Sequence, residues 1–92
     1  MIGLVQCECL LYSARSLKDK RSVITSILRK AVTNHNVSAS ETDYQDIWQR
    51  TAFAFVSVGT SKAAVEKDLA RALSLIDSHP EIERTSTTYE WF

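Results

Sequence analysis

SARSLKDKRS, residues 13–22, ends an apolar strand and begins a helix. Ser16 lies three residues before Asp19, the spacing of an N-cap hydroxyl that accepts from a backbone N–H of the first helical turn. Four cations against one acid leave the stretch at +3; they are Arg15, Lys18, Lys20 and Arg21. Cations beside the positive end of a helix dipole cost free energy that an anionic partner offsets. The stretch therefore predicts a strand-to-helix corner that receives an anion.

The composition indicates one small globular domain spanning residues 1–92. The chain has 92 residues, 45% of them hydrophobic, and a formal net charge of zero. A domain of this size buries only about 60 to 65% of its unfolded surface, so a partner subunit would add stability and we expect a homodimer. The charge is unevenly placed, because residues 13–30 sum to +5 and the remainder to −5. Recognition by charge must therefore come from this basic segment.

We expect a cytoplasmic protein with no membrane association. The first residues lack the basic start and unbroken apolar run of a signal peptide, and no apolar run approaches the roughly 20 residues of a membrane span. Cys7 and Cys9, the only cysteines, alternate on one face of a strand. Neighbours of this kind are badly aimed to pair with each other, so we interpret both as reduced core thiols.

The pattern along the chain predicts an α+β fold. Strands are expected over residues 2–12, 37–41, 48–58 and 85–91, and helices over residues 17–32 and from Ser61 to about His79. The order strand, helix, strand, strand, helix, strand is the split βαβ or ferredoxin-like arrangement (βαββαβ). Right-handed crossovers then place both helices on one face of a four-stranded antiparallel sheet ordered 4-1-3-2. Strands one and three become neighbours, which brings the corner at Arg15 close to Arg50.

Two sequence blocks resemble a known family. Residues 14–21 (ARSLKDKR) and 45–50 (QDIWQR), together with residues 36–38 (NVS), are similar to the YlxP-like family of small bacterial domains of unknown function. The resemblance spans nearly the whole chain and implies a ferredoxin-like fold. It also implies a gene commonly found near translation and ribosome-maturation genes, which is an association and not a mechanism. It brings no catalytic residues.

The basic corner is the first candidate site. One interpretation is a surface that binds phosphate oxygens, with Trp48 or Gln49 contacting a base; the proposed set is Arg15, Lys18, Lys20, Arg21, Trp48, Gln49 and Arg50. The alternative is a solvated helix face in which Asp19 and Asp46 pair with these cations.

The second candidate is the aromatic pair of strand three. Phe53-Ala54-Phe55-Val56 partly matches the RNA-binding octamer of RRM domains, in which aromatic rings stack on bases. The match is incomplete, and Glu8 on the expected open face would repel phosphate. Packing in the core or in a subunit interface is the favoured interpretation, the interface set being Leu4, Leu10, Tyr12, Phe53 and Phe55.

Catalysis and metal binding find little support in the sequence. His35 and His79 lack a suitably placed nucleophile, and Glu41, Asp43 and Asp46 are better explained as a polar turn than as a cation site. We therefore expect no enzymatic activity, no cofactor and no metal. The leading hypothesis is RNA or ribosome-associated binding through the basic corner. The alternative is a homo-oligomeric interaction or scaffold domain with no nucleic-acid ligand.

Overall fold

The chain folds as two βαβ halves in the order that the sequence predicts. The computed structural model describes all residues from Met1 to Phe92. Its elements are β1 (Ile2–Leu10), α1 (Leu17–Asn34), β2 (Ser38–Asp43), β3 (Arg50–Val58), α2 (Lys62–Asp77) and β4 (Glu83–Trp91). No helix combines the length and the apolar character needed to cross a membrane.

The four strands form one antiparallel sheet in the order β2-β3-β1-β4, which is the predicted order 4-1-3-2. In the central pair, Val5 lies opposite Phe55 and Cys7 opposite Phe53. Side chains alternate between the two faces of a strand, so this register fixes which face each residue joins. The helix-covered face receives the larger apolar residues, and the other face is open.

Both helices pack on the same sheet face and close a single core. Apolar residues at helical spacing supply their inner sides: Ile24, Ile27 and Ala31 from α1, and Val65, Leu69, Ala72, Leu73 and Ile76 from α2. From β1 come the two thiols, both free and buried, with Cys9 fully inaccessible. The hydrogen bond with Cys7, together with burial, raises the pKa of the Cys9 thiol well above its ordinary value. The interpretation of Cys7 and Cys9 as core residues is confirmed.

The helix starts follow the sequence signals closely. The hydroxyl of Ser16 accepts from the backbone N–H of Asp19 at 3.1 Å, and the hydroxyl of Ser61 accepts from that of Ala64 at 3.2 Å. The carboxylate of Asp19 in turn accepts from the backbone N–H of Arg15 at 3.2 Å. These bonds satisfy donors that the first turn of a helix otherwise leaves free.

Strand ends differ from the prediction by two residues or fewer. The sequence predicts strand three from Trp48, and the structure begins β3 at Arg50. The turn depends on Tyr44, whose φ of 61° lies in the left-handed region that non-glycine residues seldom adopt. The Ile47 N–H donates to the Tyr44 carbonyl oxygen at 3.0 Å and closes the turn.

Candidate nucleic-acid interface

The corner before α1 and the start of β3 are neighbours, as the topology predicts. Leu10 lies opposite Arg50 in the sheet, and the Leu11 N–H donates to the Gln49 carbonyl oxygen at 3.0 Å. The Gln49 side-chain amide donates to the carbonyl oxygens of Tyr12 at 3.3 Å and Ala14 at 3.5 Å. Gln49 therefore connects the β2–β3 loop to the β1–α1 loop. Its side-chain amide donates within the protein, so these donors are not free to bond a nucleic-acid base.

Lys20 does not belong to an anion-binding surface, so its place in the predicted set is wrong. Its side chain is 1% exposed and ends 3.0 Å from a carboxylate oxygen of Glu41. The same ammonium donates to the carbonyl oxygens of Tyr44 and, at 3.4 Å, Gln45. Lys20 takes the inner position that an apolar residue would fill in the second turn of α1. Its charge is satisfied inside the protein, where it fixes the β2–β3 turn.

Arg50 is also paired with a carboxylate of the protein. Its guanidinium donates to a carboxylate oxygen of Glu8 at 2.5 Å and lies 4.1 Å from the centre of the Tyr44 ring. The hydrogen bond to Glu8 raises the pKa of Arg50 above its ordinary value. This pair lies on the open sheet face, while α1 covers the opposite face. The predicted grouping of Arg50 with the corner cations stays a prediction: the backbones are adjacent, and the Arg50 guanidinium is paired with Glu8.

Four basic residues, two from the predicted set and two further along α1, form a continuous surface on the outer side of that helix. We call it the α1 stripe, and it consists of Lys18, Arg21, Ser22, Thr25, Ser26, Arg29 and Lys30, which border one shallow depression of about 490 Å³. Residues three, four and seven apart along a helix share a face, which is why these positions meet. The stripe contains no apolar and no acidic residue, and its four cations give it a charge of +4.

The cations of the α1 stripe have no carboxylate partner. The three ion pairs of the protein are Lys20–Glu41, Arg50–Glu8 and Arg84–Asp77, and none involves the stripe. The only acid of α1, Asp19, is occupied with the helix start. The alternative interpretation paired Asp19 and Asp46 with the corner cations, and neither acid forms a side-chain ion pair. Arg15 is exposed beside the start of the stripe, and Trp48 is 51% exposed on the β2–β3 loop.

The open sheet face has the opposite charge. Its strand residues include four carboxylates against the single cation Arg50, a net −3; the acids are Glu8, Asp43, Glu83 and Glu90. A neutral chain is thus divided into a basic helical side and an acidic sheet side. Phosphate would be attracted by the first and repelled by the second.

Phe53 and Phe55 cannot serve as stacking platforms. Both rings are fully buried, with centroids 5.8 Å apart, because their register opposite Cys7 and Val5 turns them toward the helices. The prediction that placed them with Leu4 and Leu10 on an interface patch is wrong, and their interpretation as core residues is correct. Leu4 and Leu10 do lie on the open face, half-buried. Tyr12 is 64% exposed just beyond β1, within 3.4 Å of a Glu83 carboxylate oxygen.

Sequence reasoning did not include Ser22, Thr25, Ser26, Arg29 and Lys30 in the candidate site. Arg29 and Lys30 were counted in the positive charge of α1. The candidate site, however, was built only from residues expected near the strand-to-helix corner. The signal was present, because Lys18, Ser22, Thr25 and Arg29 follow the spacing of four, three and four that marks one helical face. A polar face of this kind opposite Ile24 and Ile27 is readable without coordinates.

Two of the groups considered for catalysis or metal binding, His79 and Glu41, have structural partners. Nδ1 of the His79 ring donates to the Leu75 carbonyl oxygen at 2.8 Å near the end of α2. At the end of α1, His35 donates to the Ala31 carbonyl oxygen at 3.0 Å through its backbone N–H. Glu41 is held by Lys20 and by the Thr51 hydroxyl at 2.6 Å. No cluster of three metal-ligating side chains is present.

The sheet of four antiparallel strands with two helices on one face defines a ferredoxin-like α+β domain. The chain belongs to the family described as protein of unknown function (DUF503), whose model matches residues 2–89. It is 53% identical over 92 residues to the uncharacterized protein YlxP of Bacillus subtilis (strain 168), and the match covers 100% of both chains. The resemblance to YlxP-like proteins is thereby confirmed.

A solved structure shares the fold without sharing the sequence. The de novo designed protein Foldit4 superposes with a TM-score of 0.60 at 12% identity, covering 100% of this chain and 99% of that chain. Such similarity shows the fold alone. The α1 stripe must therefore be interpreted from its own chemistry.

Proposed function

We propose that this protein is a non-enzymatic cytoplasmic RNA-binding domain that contacts RNA, or an RNA surface of a ribosomal particle, through the α1 stripe. The observation that carries the proposal is the +4 charge of seven adjacent polar side chains that no carboxylate neutralises. Exposed cations of this kind bind phosphate oxygens and release the counterions condensed on a nucleic acid. The proposed site shares Lys18 and Arg21 with the rim predicted from the sequence and extends from them along the outer side of α1.

The polarity of the stripe favours a nucleic acid over a protein partner. Protein interfaces depend on a few buried aromatic or aliphatic anchors at their centre, and the stripe contains none. Protein–nucleic-acid interfaces are more polar and far more positively charged. Ser22, Thr25 and Ser26 supply hydroxyls between the cations, where they can bond phosphate and ribose oxygens.

A salt titration tests the proposal. We expect the parent protein to bind RNA with log K falling against log salt with a slope of about −3 to −4, as four phosphate contacts require. The double variant Lys18→Ala with Arg29→Ala should weaken binding at low salt and make that slope shallower by about two, because each phosphate contact contributes about one.

A charge-matched control separates a site from a general charge effect. Lys67→Ala with Arg71→Ala removes two exposed cations from α2 that have no ion pair. This control should retain the parent slope. No binding of the parent at low salt, or an equal loss in the control, would contradict RNA binding by the α1 stripe.

A homodimer through the open sheet face is the second candidate function. One end of that face carries apolar residues on paired strands, with Ile2 opposite Val58 and the half-buried Leu4 opposite Val56. Ile2, Val56 and Val58 are exposed. These four side chains are uncharged, and Glu90, opposite Leu4 on β4, borders the patch. A two-fold contact centred on Ile2 and Val58 would keep the two copies of Glu90 apart. Sedimentation at micromolar concentration should give a dimer mass that Val58→Lys converts to a monomer mass. A monomer mass for the parent would reject this candidate.

A further inference from the structure

We propose that the ligand of the α1 stripe is double-stranded, A-form RNA, contacted across its shallow minor groove. The inference rests on the proposed RNA-binding function and adds the class of RNA. It follows from the arrangement of charges along the stripe, from the way α1 is packed, and from the positions of the aromatic residues.

The stripe has cations at both ends and hydroxyls between them. Lys18 and Arg21 occupy one end and Arg29 and Lys30 the other, and the whole stripe is about 18 Å long at 1.5 Å per residue. The centres of the two cation pairs are about 15 Å apart along the axis. A helix of this design, laid across a groove, places a cation pair on each phosphate strand. Its hydroxyls then face what lies between the strands.

The hydroxyls suit the floor of an RNA minor groove. That groove is wide and shallow, and it presents ribose 2′-hydroxyls, which donate and accept hydrogen bonds. Ser22 and Thr25 are exposed and short, with the same donor and acceptor capacity. They reach groups at the surface of a duplex and cannot reach base edges at the bottom of a deep groove.

The packing of α1 disfavours insertion into B-form DNA. Ile24, Ile27 and Ala31 are buried against the sheet, and α1 also contacts α2, so only its outer side is free. The major groove of B-DNA is about 8.5 Å deep and is read by a helix that projects from its domain. The minor groove of B-DNA is only about 6 Å wide. Because α1 lies against the sheet with only its outer side exposed, it fits a shallow groove better than a deep or narrow one.

The positions of the aromatic residues disfavour single strands. Sequence-tolerant binding of single-stranded RNA relies on aromatic rings that stack on bases. Phe53 and Phe55 are buried in the core, and the α1 stripe contains no aromatic residue. Two exposed aromatic residues lie beside the corner, Tyr12 and Trp48. The Tyr12 hydroxyl is bonded to Glu83, and Trp48 on the β2–β3 loop provides a direct check.

The test compares four ligands of the same sequence at one salt concentration: duplex RNA, duplex DNA and each single RNA strand. We expect duplex RNA to bind at least about tenfold more tightly than the other three ligands. Duplex DNA lacks the 2′-hydroxyls, and a single strand lacks the fixed spacing of phosphates across a groove. Equal or tighter binding of duplex DNA or of a single strand would overturn the assignment of the ligand as duplex RNA. The proposed RNA binding would still stand. No binding of any ligand would overturn both.

Two variants give an independent result. Ser22→Ala with Thr25→Ala removes hydroxyls from exposed helix positions where alanine favours the helix. This variant should lose about tenfold in affinity for duplex RNA while its affinity for duplex DNA is unchanged. Trp48→Ala should bind duplex RNA as the parent does. An unchanged affinity of the hydroxyl variant, or a large loss in Trp48→Ala, would contradict minor-groove recognition.

Discussion

The Lys20 ammonium lies 3.0 Å from the Glu41 carboxylate at the boundary between α1 and the edge strand β2. The side chain of Lys20 is 1% exposed and that of Glu41 14%, so the pair is shielded from water on both sides. The Thr51 hydroxyl bonds the same Glu41 oxygen, and backbone carbonyls of the β2–β3 turn bond the same ammonium. One buried cation therefore joins a helix, two strands and a turn.

Removing Lys20 should destabilise the protein without affecting RNA binding. Lys20→Met keeps the length of the side chain but leaves the Glu41 carboxylate buried and unpaired, which costs about 3 kcal/mol. Denaturant unfolding would measure the loss. The double variant with Glu41→Leu should recover much of the stability, because a well-packed apolar pair avoids the cost of burying charge. Weaker RNA binding by folded Lys20→Met would show that Lys20 belongs to the site after all.

Asp68 should matter more for stability than Asp77, although both are acids of α2. Asp68 accepts from the Ser57 hydroxyl at 2.8 Å and from the Asn36 amide at 3.1 Å. Asp68→Ala leaves the buried hydroxyl of Ser57 without its partner and should cost about 1 to 3 kcal/mol. Asp77→Ala breaks an exposed pair with Arg84 and should cost less than about 1 kcal/mol. Equal losses in denaturant unfolding would show that the Asp68 network adds nothing.

Gly3 is required by the packing of its neighbours. A Cβ on Gly3 would lie 2.6 Å from Val65 Cγ1 and 2.6 Å from the Trp91 ring. Gly3→Ala must displace both of them and should destabilise the protein by about 1 to 3 kcal/mol. Gly59→Ala is the matched control, because its Cβ would meet Val65 at 3.2 Å without further crowding. A lower midpoint in thermal unfolding is expected for Gly3→Ala alone, and similar midpoints for the two variants would refute this packing argument.

The thiols should be unreactive in the folded protein. Both are buried. The hydrogen bond between them raises the pKa of Cys9 and lowers that of Cys7, so Cys9 stays protonated and burial alone protects Cys7. The unfolded Cys9 thiol ionises near its ordinary pKa of 9.0, whereas the folded thiol stays protonated at higher pH. The stability that this group contributes is therefore fully present below about pH 9 and declines above it.

A thiol-specific reagent and alkaline unfolding check these statements. Labelling should be slow under native conditions and complete for two thiols in denaturant. Cys9→Ala should show a smaller loss of stability between neutral and alkaline pH than the parent. Rapid labelling of the native protein would contradict the burial of this pair.

Much of the fold could be predicted because local signals and topology rules agree. The alternating apolar residues of β1, such as Val5 and Cys7, indicated a strand. The N-cap residues Ser16 and Ser61 marked where the two helices begin. The handedness of βαβ connections then fixed the strand order. The ends of β3 were less certain, because the turn depends on the left-handed backbone of Tyr44 and not on a glycine.

The candidate site was harder to predict because it depends on which way single side chains turn. Lys20 and Arg21 are consecutive cations 100° apart on a helix, and charge alone does not say which one lies inside. Residues 51–56 are apolar on both faces apart from Thr51, so the sequence did not show which face Phe53 joins. The partner of Arg50 could not be predicted from the sequence either, because Glu8 lies 42 positions earlier in the chain.

The measurement that tests the account most directly is the change in backbone amide NMR shifts when duplex RNA is added to the protein. Binding through the α1 stripe predicts changes concentrated at residues 18–30 on its outer side, with little change at Leu4 and Val56 on the open sheet face. Changes concentrated on the sheet, with residues 18–30 unaffected, would contradict it.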